Sequence, residues 1–270
     1  MGDEAATPRI AGTGRAGTTR TTTTILGARM ASMVLVFVGS VALARALGPE
    51  GRGAHAFVVS AALLLAALLA LGAPTGSYVL GIRGRAPAGA LASIAGPLAL
   101  LAGIAASMLA VLGGVAGIVP APLEAVPGWP AAIGAGTAGF VLNSHQLQHA
   151  FARGRAVTGA LVGLAPYLVA AVAYVAIWAM GAGLSPAIYA YAAAPWLATF
   201  GALLVRAAPL PVAWPPLNVA VAAASIRQGL RNYPGELAAI IQQRADVLLL
   251  AALAPTGVVG VYVVAYQTAE

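Results

Sequence analysis

Apolar residues run along this chain in blocks about as long as a lipid bilayer is thick, separated by short segments that gather Gly, Pro and Arg. Residues 25–44 are apolar apart from Arg29, and residues 54–71 carry no charge. A hydrocarbon core about 30 Å thick takes roughly 20 helical residues to cross, so each block is long enough to span it. Between them lies Arg45-Ala46-Leu47-Gly48-Pro49-Glu50-Gly51-Arg52-Gly53. Its glycines and proline break a helix, and its three charges belong at a wet surface rather than in lipid. The chain is too short there for anything but a reversal, so residues 25–71 are predicted to form a transmembrane hairpin. Further spans are predicted at about 89–112, 130–151, 157–180, 185–205 and 233–253, with another apolar stretch from Gly257 onward. The fifth span contains Pro166, which frees a backbone carbonyl and predicts a kink. Residues 72–88 and 113–129 read as loops. Residues 206–232, with Pro209, Pro211, Pro215 and Pro216, read as a linker that includes a weakly amphipathic stretch ending at Arg227 and Arg231.

Composition supports the same class. Hydrophobic residues make up 60% of the chain and charged residues 8%, against about 25% charged in a soluble domain, so an all-α, polytopic membrane helix bundle is expected. With no Cys, disulfides, thiolate nucleophiles and Cys-based metal sites are excluded. A pI near 10.4 would point to nucleic acid in a soluble protein; here the positions of the charges follow membrane topology instead. With the N-terminus inside, the cytoplasmic side holds Arg9, Arg15, Arg20, Arg83, Arg85, Arg153, Arg155, Arg206, Arg227 and Arg231, and the outside only Arg45 and Arg52. That is a strong positive-inside bias. A multi-pass protein of the cytoplasmic membrane is therefore expected, with residues 1–24 as a polar, disordered cytoplasmic tail. Gly12-Thr13-Gly14-Arg15-Ala16-Gly17 matches GxGxxG but has neither the preceding strand nor the soluble helix that a dinucleotide site needs. The first apolar run is too long for a signal-peptide core and reads as an anchor that stays in place.

Two ordered motifs carry a family resemblance. The first is the 44–53 turn between two apolar helices. The second is Leu230-Arg231-Asn232-Tyr233-Pro234, then Gln243-Arg244-Ala245-Asp246-Val247-Leu248-Leu249-Leu250, then Val259-Gly260-Val261-Tyr262-Val263-Val264-Ala265-Tyr266. Together they resemble the polysaccharide and lipid-linked oligosaccharide flippases of the multidrug/oligosaccharidyl-lipid/polysaccharide exporter superfamily, over essentially residues 22–270. The resemblance implies two lobes of helices. This chain would supply a six-helix first lobe (25–205), a cytoplasmic inter-lobe linker (206–232), and helix 7 with a truncated helix 8 (233–270), as a fragment that needs a C-terminal half. It also implies transport by alternating access of an isoprenoid-pyrophosphate-linked oligosaccharide or polysaccharide precursor, with no bond broken and no cofactor beyond a coupling proton or sodium ion.

Candidate site residues are the polar groups placed in or near apolar spans, where they are expensive. Arg29, about one turn inside the first span, is long enough to snorkel to the interface. The resemblance implies instead that it faces a central cavity and grips a lipid pyrophosphate, a task suited to the permanently charged, forked guanidinium. Arg52 either pairs with Glu50 in solvent or, by the resemblance, sits at the outer mouth where the headgroup leaves; His55 adds no weight of its own. His145 and His149 share one face of the fourth helix near Asn143, Gln146 and Gln148. With no intervening Glu, no Cys and no third ligand, they read as a polar, cavity-facing or cytoplasmic-end stretch rather than a metal site. On the seventh span Glu236, Gln242, Gln243, Arg244 and Asp246 form one broad polar arc. The arc is either a structural ion-pair lock or a site in which Arg244 binds the headgroup and Glu236 or Asp246 takes the coupling ion. Rival readings are a multidrug-type extruder of the same fold, a membrane-embedded glycosyl or phosphosugar transferase, and an inactive truncated fragment.

Overall fold

The first apolar block is followed by the second through a break at a single residue. In the computed structural model, which describes residues 15–204 and 217–269, one helical run, α1 (Arg15–Ala70), is interrupted at Gly48, whose φ of 65° and ψ of −178° are not helical. That conformation is open essentially to glycine alone, and Pro49 restarts the helix with its φ already set. Ser40 and Arg52 would lie about 18 Å apart along a straight helix, yet their side chains are hydrogen-bonded at 3.1 Å. Ala42 and Leu43 likewise share one apolar cluster with Val58 and Ala62. The run is therefore an antiparallel hairpin with arms 15–47 and 49–70.

The remaining elements are α2 (Ala73–Ile82), α3 (Ala88–Val115), α4 (Ala121–Glu124), α5 (Trp129–Ala152), α6 (Ala156–Ala179), α7 (Leu184–Leu204), α8 (Val219–Gly229), α9 (Tyr233–Leu253) and α10 (Thr256–Ala269). No strand occurs among the described residues, as the all-α expectation requires. Several segments differ from the expected loops. Residues 15–24 continue α1 upstream instead of belonging to a tail, most of 72–88 is α2, 113–129 contains α4, and 219–229 of the linker is α8. Residues 1–14 of the expected tail, with Arg9 and the start of the GxGxxG match, and 205–216 of the linker, with Arg206, lie outside the described residues.

Three helical stretches, Thr21–Ala70, Ala88–Val115 and Ala156–Ala179, are long and apolar enough to cross a membrane. Their outward faces are apolar: Met30, Met33, Val34 and Phe37 on α1, Leu100, Leu101, Ile104, Met108 and Leu112 on α3, and Leu161, Leu168 and Val172 on α6 are all exposed. Soluble monomers rarely expose contiguous patches of this kind, so the chain has the build of a membrane protein.

Two ends of the bundle can be told apart. At one, the hairpin tip meets α4, the α6–α7 turn and the α9–α10 corner: Leu123 and Val126 pack with Leu43, Tyr174 and Ile177, and the Arg45 guanidinium lies 5.6 Å from the Trp178 ring centroid. There the packing is backbone on backbone. A Cβ added to Gly53 would fall 2.0 Å from the Thr256 carbonyl oxygen, and one on Gly260 1.9 Å from that of Pro49. At the other, basal end, α2 packs on α8 through Gly72, Gly76 and Gly229, Ser77 Oγ donates to Ser225 Oγ at 3.3 Å, and the Tyr233 hydroxyl donates to the Leu68 carbonyl at 3.0 Å. Arg83, Arg85, Arg153, Arg155, Arg227 and Arg231 all belong to this end and are exposed.

Proline within the bundle is compensated locally. Pro166 in α6 has no N–H for the carbonyl of Val162, one turn earlier. Asn143 of α5, buried, donates its side-chain Nδ2 to that carbonyl at 3.3 Å. A neighbouring side chain re-satisfying a freed carbonyl is what makes an interior proline tolerable in lipid.

Candidate functional site

Because the hairpin folds back on itself, the inner faces of both arms can wall one space. A cavity of about 150 Å³ lies between them and α6, α7, α9 and α10. The first arm contributes Gly39, Ser40 and Leu43, and the second Arg52, His55 and Val59. Tyr174 comes from α6, Tyr191 from α7, Gln243 and Arg244 from α9, and Tyr266 from α10.

Its polar wall is a directional relay. Arg52 is only 4% exposed, and its Nη2 donates to Ser40 Oγ at 3.1 Å. Its Nη1 lies 3.4 Å from His55 Nδ1; guanidinium is donor-only, so Nδ1 accepts. His55 then carries its proton on Nε2, which donates to the Tyr174 hydroxyl oxygen at 3.1 Å. The Tyr174 O–H is left as a donor for an acceptor in the cavity. The His55 ring also packs edge-on against Tyr174, at 5.3 Å between centroids and 87°, and against Tyr191 at 6.0 Å and 77°. Tyr191 donates to the Val59 carbonyl at 3.3 Å. The result is a fixed positive charge whose guanidinium is held by short-range partners, in a space walled by aromatic and apolar groups, with half-buried Arg244 on the facing helix. Such a wall suits an anion with several acceptor oxygens.

The sequence candidates separate into those that meet here and those that do not. Arg52, Gln243 and Arg244 line the cavity. Arg52 does so as a buried group, so the solvated pair with Glu50 is corrected: the hairpin turn is tight enough to tuck residue 52 under Ser40. Arg29 is exposed on the first arm, about 28 Å from Gly48 at 1.5 Å per residue, and does not line the cavity. The arc predicted on α9 divides. Glu236, exposed at the start of the helix, accepts from Thr75 Oγ1, while Asp246 accepts from the Val247 amide at 2.7 Å and from the Tyr262 hydroxyl. Both acids are thus engaged with neighbouring elements rather than with Arg244 and the cavity. His145 and His149 line a separate, smaller void with Ser77. His55, Tyr174 and Tyr191 were not expected; the one sequence signal was a His within one turn of an Arg at i−3, on the same helix face.

Compared with protein-family models, curated proteins and solved structures, the chain gives no match.

Proposed function

We propose that the chain is a membrane transporter of the flippase type, moving an isoprenoid-pyrophosphate-linked oligosaccharide or a similar polysaccharide precursor across the cytoplasmic membrane. The observation that carries this reading is the buried Arg52–His55–Tyr174 relay facing Arg244 across one cavity inside an apolar bundle. A sugar pyrophosphate cannot cross lipid unaided, so a carrier must offer it charge and hydrogen bonds at membrane depth while the lipid tail stays in the bilayer. Two guanidiniums and the Tyr174 phenol supply cationic and neutral donors for pyrophosphate oxygens; a cationic drug would meet the wrong sign of charge.

In this reading the hairpin arms, α3, α5, α6 and α7 form a six-helix lobe, and α9 and α10 begin a second, with the basal end cytoplasmic. The cavity, about 150 Å³, is below the roughly 300–1,000 Å³ of pockets that enclose whole ligands, so it fits the charged group and not a glycan. Loading the glycan requires the walls to part. The Gly53–Thr256 and Gly260–Pro49 contacts at the tip and the α2–α8 contacts at the base are the two places to do so, which supports alternating access. A coupling proton or sodium ion is assigned in this reading to Asp246 or Glu236, and would have to compete with their hydrogen bonds to Tyr262 and Thr75.

The test is binding. Purified protein in nanodiscs should bind an isoprenyl pyrophosphoryl sugar and not the matching uncharged isoprenyl alcohol, and inorganic pyrophosphate should compete. Equal binding of the alcohol would overturn the reading.

A further inference from the structure

The void between α2, α3 and α5 plays no part in that transport reading. It measures about 10 Å³, the space of a single water or ion, and is lined by Ser77, Leu91, Ala92, Ala95, His145 and His149. His145 is 4% exposed, and its Nδ1 lies 3.1 Å from the Val141 carbonyl oxygen. A carbonyl only accepts, so Nδ1 carries the proton and Nε2 presents a lone pair. That buried Nε2 has no hydrogen-bond partner among the described residues. Ser77 gives its hydroxyl proton to Ser225, so its oxygen too offers lone pairs to the void. His149 stands one helical turn beyond His145 on the same face of α5.

Lone pairs on His145 Nε2 and the Ser77 oxygen facing one small void are met either by the O–H groups of a water or by a metal ion. A backbone carbonyl that fixes Nδ1–H is the arrangement that orients an imidazole for a metal through its other nitrogen. We propose that this void is a binding site for a divalent transition-metal ion of the zinc class, held by His145 Nε2 and His149, with the Ser77 oxygen beside them. Among the described residues no third His, Cys, Asp or Glu joins the pair, so the site is a weak, exchangeable one. Arg153 and Arg155, just past the end of α5, are exposed but still act against positive charge at His149, which keeps the affinity for a cation low. A bound ion would join α5 to α2, and through Ser77–Ser225 to α8, at the basal end of the bundle.

The chain has three His and no Cys, so the background is low. Tag-free protein in detergent should bind one equivalent of Zn²⁺ in the micromolar range by calorimetry, with Co²⁺ giving d–d absorption of a nitrogen-ligated ion. His145→Ala and His149→Ala should each weaken binding at least roughly tenfold, the least that loss of even an outer-shell partner costs. Gln148→Ala should leave it unchanged. Zn²⁺ should raise the thermal midpoint of the wild type and not that of His149→Ala, a half-buried position where folding is not at risk. A void that holds only water, seen as no saturable binding by about 1 mM Zn²⁺, or binding that survives both histidine substitutions, would overturn the proposal.

Discussion

Arg52 is the residue on which the site turns. It sits one turn from the hairpin break at Gly48, and its buried guanidinium is held by hydrogen bonds to Ser40 and His55. Lysine is a poor substitute, because a single ammonium cannot reach Ser40, His55 and an anion with the planar geometry of the fork. Arg52→Lys is expected to weaken pyrophosphate-lipid affinity by roughly tenfold, the loss of about 1.4 kcal/mol, with a thermal midpoint near that of the wild type. Binding that stays at the wild-type value would place the anion elsewhere. Asn143 presents a purely structural case. Asn143→Ala leaves the Val162 carbonyl orphaned beside Pro166 and should destabilise the protein by about 0.6–2 kcal/mol in a reversible unfolding titration, with ligand affinity unchanged. Asn143→Ala combined with Pro166→Ala should recover part of that loss, since the α6 backbone can then satisfy its own carbonyl; no recovery would refute the pairing.

At the scale of the element, the hairpin and its contact with α10 decide whether the tip end can open. Their backbones touch because Gly53 and Gly260 have no side chain. A Cβ built on Gly257 lies 3.8 Å from that of Pro49, within the span of a disulfide. In this Cys-free chain, Pro49→Cys with Gly257→Cys should oxidise to an internal disulfide that stops transport, and reduction should restore it. Transport that continues in the oxidised protein would mean that the tip does not need to part. The hairpin was legible in the sequence because block length and clustered breakers speak directly to helices and lipid. The short helices α2 and α8 were not, since runs of 10 and 11 residues fall below a membrane span and blend into polar surroundings. For α2 the Pro at its first turn was nonetheless a start signal. The closest backbone approaches, at Gly53, Gly76, Gly229 and Gly260, were not legible either, because their partners lie far along the chain. The cavity was half legible: of the two Arg inside apolar spans, Arg244 lines it and Arg29 does not, while Arg52 read as part of a wet turn, and the relay from His55 to Tyr174 joins residues 119 positions apart, which no local pattern encodes.

For the whole molecule, the two ends differ in charge, with six exposed Arg at the base and only Arg45 exposed near the tip among the described residues. If the base is cytoplasmic, single cysteines replacing Pro122 and Gly183 should react with an impermeant reagent from outside, and those replacing Ala86 and Gly154 should not; the reverse pattern would invert the topology. The central claim, that a buried cationic cavity carries a pyrophosphate-linked glycan across the membrane, is tested most directly by reconstitution. In proteoliposomes with a fluorescent isoprenyl pyrophosphoryl sugar, the wild type should move the lipid between leaflets, as should Arg29→Lys, whose side chain lies outside the cavity. Arg52→Ala and Arg244→Ala should abolish the movement at matched incorporation. Alanine variants that flip the lipid at the wild-type rate would contradict the account.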